Sequence, residues 1–275
     1  MPPPKTRVGP HERLFIEATF SPPRNPVRAV TGAPYSAEQV IGRELILESG
    51  TDLGVPDIWD NPSGFGIPRI FSGRTYVSHE RQGIRIYRDS AGRTRTESPF
   101  FSGSNPPPDA PMNIEIDDVV EGYRYILDTE NRVAHRSVLA AVPGPDLPPL
   151  WRCADRSAFK SLGTRTIEGV RAEGRKTAHV LSEGRRPGGY ATGQPYGPSV
   201  SYIGVQAASS EEWYSTDLKA AVLTKSFTPR RGDETMPLKN VSRAEPDPSL
   251  FQVPPGYKVV DETGPFTIKI TRSSR

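Results

Sequence analysis

The chain has 275 residues, 35 Lys and Arg against 32 Asp and Glu, a formal charge of +3 and a hydrophobic fraction of 35%. That length fits one large sheet unit, because all-β sandwiches and barrels of roughly 200–250 residues fold as single domains. No run of about 18 apolar residues occurs, which excludes a membrane-spanning helix, and a single cysteine, Cys153, excludes an intrachain disulfide and a Cys-based metal site.

The 30 prolines are about twice average usage. Proline lacks the N–H and locks φ, so its clusters mark where regular structure stops. They fall at 2–10, 22–34, 106–111, 143–149 and 254–255. Between them lie stretches rich in Val, Ile, Tyr and Thr at alternating positions, which is strand composition. We read a Pro-rich N-terminal arm over 1–34, one β-sheet domain over 35–262 with a linker at 143–159 between its halves, and a C-terminal tail or edge strand over 263–275.

The first clear element runs from Ser36 to Glu48, where alternating and continuous apolar positions predict a strand, with a short helical turn after Pro34 as the rival. A Gly- and Pro-rich loop follows over 50–69. The segment Gly83 to Glu97 carries two alternating arms around Asp89-Ser90-Ala91-Gly92, where Asp can cap the turn and Gly can take positive φ, so it predicts a β-hairpin. Tyr123–Asp128 and Arg132–Val138, joined at Thr129-Glu130-Asn131, predict a second hairpin. Beyond the linker, Ser161–Gly174 turns at Glu168-Gly169 and continues to Leu181. A Gly-rich excursion over 184–198 leads to strands at Val200–Gln206 and Glu211–Ser215. Asp217–Lys225, a turn at 229–233 and Glu234–Arg243 complete the series. Strands joined by short turns pair antiparallel, so the expected topology is a meander. Whether the two halves form one sheet or two stays open.

Several blocks carry a family resemblance. They are Ser161-Leu162-Gly163-Thr164 with Ile167-Glu168-Gly169-Val170, then Glu212-Trp213-Tyr214-Ser215, then Glu245-Pro246-Asp247-Pro248-Ser249-Leu250-Phe251. In the first half Ala33-Pro34-Tyr35-Ser36 and Tyr87-Arg88-Asp89-Ser90-Ala91-Gly92 belong with them. Together, over roughly 33–260, these resemble a family of uncharacterised secreted acidobacterial proteins. More distantly, the Trp-Tyr strand, the turn and strand after it, and the closing Pro-Asp-Pro-Ser-Leu-Phe resemble the half-barrel superfamily of periplasmic lipoprotein carriers. The resemblance implies a strongly curved antiparallel meander sheet, half-barrel-like, with long Pro/Gly-rich loops and few short helices. It also implies an extracytoplasmic home, periplasmic or secreted. The absence of a signal peptide at Met1 is then expected to reflect a mature chain whose first residue was added.

Catalytic and metal-binding patterns are not legible. His11, His79, His135 and His179 show none of the spacings that bring two imidazoles to one metal, so no metal or cofactor is expected. There is no Gly-x-Ser-x-Gly elbow, and Gly64-Phe65-Gly66 lacks the third glycine and helix start of a phosphate cradle. Glu115, Asp117, Asp118 and Glu121 read as the wet face and turn of a strand whose other face is Ile114 and Ile116. What remains is apolar surface. Ile84 and Ile86, Tyr123 and Tyr125, Trp213, and Leu218, Ala220 and Val222 each lie on one face of their strands at a spacing of two, and in a curled sheet these faces would line the concave side.

The reading is therefore a non-catalytic binding protein that holds a hydrophobic or lipid-like ligand in a curved sheet. The alternative is an envelope module that grips another protein through its Pro-rich arms and sheet edges. An enzyme is not expected, and neither is a nucleic-acid partner, because the basic excess of the second half is neither clustered nor attached to a recognised motif.

Overall fold

The computed structural model describes residues 5–8, 13–47, 75–100, 110–144, 148, 159–181, 206–228 and 232–273. Among these there is no α-helix. Seventeen strands and one 3-10 turn, Pro248–Phe251, make up the regular structure.

The strands are β1 (Lys5–Val8), β2 (Arg13–Phe20), β3 (Val27–Ala29), β4 (Tyr35–Leu47), β5 (Thr75–Arg88), β6 (Thr94–Pro99), β7 (Met112–Asp118), β8 (Tyr123–Asp128) and β9 (Val133–Val138). Then come β10 (Ala141–Pro143), β11 (Lys160–Ile167), β12 (Val170–Leu181), β13 (Gln206–Ser215), β14 (Ala220–Thr228), β15 (Gly232–Ser242), β16 (Lys258–Asp261) and β17 (Phe266–Ser273). Twelve of them form one sheet in the order β11-β12-β13-β14-β15-β4-β5-β6-β7-β8-β9-β16, so the two halves share a single sheet. Each half is an antiparallel meander, and the halves join where β15 pairs with β4, Leu238 opposite Gln39. The sheet stays open rather than closing into a barrel. Its last strand, β16, returns parallel to β9.

The turns form for the reasons their residues suggest. Asp89 accepts from the Arg93 backbone N–H at 2.8 Å and from Arg93 Nε at 2.6 Å, and Gly92 takes φ of +90°, which closes the β5–β6 hairpin. Asp128 caps the β8–β9 turn by accepting from Asn131 N at 3.0 Å. In the β13–β14 hairpin the turn occupies 216–219, so Leu218, expected on a strand, lies in the turn instead. The Ser215 hydroxyl accepts from Leu218 N there at 3.3 Å, a local bond within the turn, and the strand begins at Ala220 rather than at Asp217.

Segment 1–34 contributes β1, β2 and β3, and the C-terminal segment contributes β17. β1, β2 and β17 form a separate three-stranded sheet. Ile16, Ala18 and Phe20 of β2 and Ile268 and Ile270 of β17 pack with Phe100 and Ile126, so this small sheet covers one face of the large one at β8. On the other face Ile116, Leu127 and Ala134 pack under Val253 and Tyr257, from the segment after the 3-10 turn. A third cluster, at the β4 to β15 side and the β11–β14 hairpins, gathers Tyr35, Ala37, Val170, Trp213, Val222 and Leu238. The expected loop at 50–69 and the Gly-rich excursion at 184–198 lie outside the described residues. So do Cys153 and most of the 143–159 linker.

A half-buried polar belt as candidate functional site

Residues directly opposite one another in a sheet share a face. The register therefore defines one continuous row, Ala37, Ile86, Thr96, Glu115, Ile126 and His135, across β4 to β9. The row changes character along its length. It begins apolar at Ala37 and Ile86, turns polar on β6 and β7, and becomes apolar again at Ile126, beneath the small sheet.

The polar stretch is built by β6, which is polar at every position from Thr94 to Ser98 and sets its hydroxyl residues on this face, and by β7, which alternates polar residues with Ile114 and Ile116. On β6 this places Thr94, Thr96 and Ser98 on the shared face, and on β7 it places Asn113, Glu115 and Asp117 directly opposite them. Ile114 and Ile116 point to the other face, where Ile116 is completely buried. β8 adds Arg124 opposite Asp117. Arg124 donates from Nε to Asp117 Oδ1 at 2.5 Å and from Nη2 to Asp117 Oδ2 at 2.7 Å, and Nη2 lies 3.2 Å from Glu115 Oε1. Burial pushes the Glu115 carboxyl above its ordinary value, Arg124 pulls it back, and neighbouring Asp117 adds to the rise. Asn113 Oδ1 is buried and has no hydrogen-bond partner among the described residues.

At the β9 end of the row, His135 Nδ1 is 2.8 Å from Glu262 Oε1, and its ring stacks on Phe266 at 4.3 Å. Phe266 in turn stacks on Phe20, so the contact ties the small sheet to the large one. The belt thus offers hydroxyls, an unpaired amide oxygen and a half-buried carboxylate between two apolar walls. Both belt carboxylates contact the same guanidinium.

The structure separates the apolar residues predicted from the sequence. Ile84 and Ile86 lie on the belt face of β5, and Ile86 packs against the cluster that holds Trp213, Leu218 and Val222. Leu218 and Val222 are 2% and 1% exposed, and Trp213 lies with its ring against Gly174 and the Arg165 guanidinium 3.8 Å from its centroid. Tyr123 and Tyr125 point to the opposite face from Ile86, because Tyr125 shares its row with Tyr87, Arg95, Ile116 and Arg136. There the two tyrosine rings are 6.4 Å apart, and Arg136 stacks 4.6 Å from Tyr123 while gripping Asp261 at 2.6 and 3.0 Å. The seven residues therefore do not line one surface.

Thr94, Thr96, Asn113, Glu115, Asp117 and Arg124 were not singled out together from the sequence. The available sign was the alternation of hydroxyl and charged residues in Thr94-Arg95-Thr96-Glu97-Ser98 set against the polar-apolar alternation of Asn113-Ile114-Glu115-Ile116-Asp117. Of the acidic group expected on a wet face, Glu115 and Asp117 are instead partly enclosed, while Asp118 fills the turn role by accepting from Val120 N and Glu121 N at 3.0 and 2.9 Å. No group of three metal-ligating side chains occurs among the described residues, and none of their helices is long and apolar enough to cross a membrane.

No protein-family model matches the chain, and no curated protein matches it. Among solved structures, 82% of the chain is similar to a chain in the complex of Pseudomonas aeruginosa MucA and MucB, at 12% identity and a TM-score of 0.32. The match spans 58% of that chain. A DUF1329 family protein from Desulfovibrio piger is similar over 80% of this chain and 90% of its own, at 8% identity and a TM-score of 0.16. Neither superposes closely, and the function proposed below rests on the chain's own residues.

Proposed function

We propose that this chain is a non-catalytic, extracytoplasmic binding module that holds a hydrophobic or lipid-like ligand on the sheet face carrying Ile84, Ile86 and the polar belt. The observation that carries the reading is the single row running from Ile86 through Thr96 and Glu115 to Ile126. Ligand sites combine an apolar lining with a few convergent polar groups that fix orientation, and the row has that composition. The family resemblance of the sequence supports the extracytoplasmic home.

Native mass spectrometry of the purified chain, before and after organic extraction, tests this. A stoichiometric adduct of lipid mass that extraction releases is the expected result, and Ile86→Asp, which sets a charge in the apolar stretch, should abolish it. A clean apo mass that takes up neither added phospholipid nor fatty acid would refute the reading.

A further inference from the structure

Resting on that binding reading, we infer that the polar end of the ligand is a hydrogen-bond donor, a hydroxyl or an ammonium, that docks against Asn113 and Glu115 beside Thr96. The belt's hydroxyls can donate or accept, but the charged donor among its side chains, Arg124, is already engaged, whereas Asn113 Oδ1 is an acceptor without a partner among the described residues. Arg124 commits Nε and Nη2 to the two oxygens of Asp117 and reaches Glu115 with Nη2 as well. Its charge is therefore already answered, and two carboxylates against one guanidinium leave the group one negative charge in excess.

Asn113 Oδ1 is a buried acceptor with no partner among the described residues. Buried polar atoms in folded proteins are rarely left in that condition, because an unmet acceptor forfeits its bond to water. Asn113 and Glu115 lie two residues apart on one strand face, a separation of about 6.5–7 Å. A group presenting several O–H or N–H donors can bridge that span, with the Thr96 hydroxyl directly across from Glu115. An anionic end would meet the excess negative charge in a half-buried setting where it is poorly screened.

Three amphiphiles with the same twelve-carbon tail separate the chemistry: dodecylammonium, dodecyl maltoside and dodecanoate, titrated calorimetrically below their micellar concentrations. One of the two donors should bind about tenfold more tightly than dodecanoate, the difference expected from one charge-assisted hydrogen bond. Which donor binds more tightly distinguishes an amine from a polyol. Asn113→Leu and Thr96→Val, each checked for a native far-UV spectrum, should reduce that preference. Dodecanoate bound as tightly as the better of the two donors overturns the inference and leaves the binding reading standing. Failure of all three to bind overturns both, and a preference unchanged in the two variants overturns the assignment to Asn113 and Thr96.

Discussion

Replacing Arg88 with Met tests how the two halves of the sheet are locked together. Arg88 ends β5 and is only 5% exposed. Its Nε and Nη2 donate to Ala33 O at 3.0 and 2.9 Å, Nη2 also donates to Leu218 O in the β13–β14 turn, and the guanidinium stacks 4.7 Å from the Tyr35 ring. One side chain thus satisfies carbonyls from the segment before β4 and from a hairpin in the other half of the chain. Met roughly conserves the stem and removes every donor, so two carbonyls lose their charged partner. At about 1–3 kcal/mol for each acceptor left unmet, with the stacking lost besides, the expected cost is about 3–5 kcal/mol. At about 2–4 °C per kcal/mol for a chain of this size, the melting temperature should fall by about 10 °C. Urea unfolding followed by circular dichroism measures the change, with an unaltered m-value as the control that the denatured state is the same. Arg88→Lys, a single point charge without the planar fork, should fall between the two. A loss below about 1 kcal/mol for Arg88→Met would refute the claim that these bonds join the halves.

Gly174→Ala should destabilise by about 1–3 kcal/mol and shift the tryptophan emission, because an added Cβ would sit 2.7 Å from the Trp213 ring, which is rigid and enclosed. Ile268→Ala, at a position 1% exposed beneath the small sheet, should cost about 2–5 kcal/mol by denaturant titration and make β17 more sensitive to limited proteolysis. Glu115→Gln should alter the pH dependence of stability with a defined sign. The folded carboxyl takes up its proton above the ordinary 4.5, so the folded state binds more protons than the unfolded chain in the interval above that value, and stability falls as pH rises through it. The Gln variant lacks that fall. It should match the parent in acid and exceed it at neutral pH, and a parent that gains stability relative to the variant as pH rises would contradict the sign.

The hairpins were legible because their signals are local. Asp89 with Gly92, Asp128 with Asn131, and Glu168-Gly169 carry their own turn chemistry, and neighbouring strands follow from them. The union of the halves was not legible, since nothing near Gln39 or Leu238 records that a distant strand will lie alongside. The same limit explains the site residues. Alternation shows that Ile86 and Tyr125 each occupy one face of a strand, but whether those faces coincide depends on counting register through β6 and β7. That count puts them on opposite sides. The belt is not legible because a Thr or Glu at alternate positions has the same pattern whether the face is open to water or partly enclosed. Leu218 was assigned to a strand because apolar alternation runs on through it, whereas the Ser215 hydroxyl bond decides the turn.

The pairing of β4 with β15 has a consequence for biosynthesis. A ribosome delivers β4 early, and β5 to β9 can add to it one hairpin at a time as they emerge. The opposite edge of β4 must wait until most of the chain has been made, because its partner is among the last strands translated. During that interval the nascent sheet carries a long strand with its backbone donors and acceptors uncovered, the kind of edge on which chains pair with one another. Closure also demands contacts between residues far apart in sequence, which slows folding and lengthens the exposure. Truncated products that end before β15 should therefore self-associate, whereas the full chain seals this edge from within.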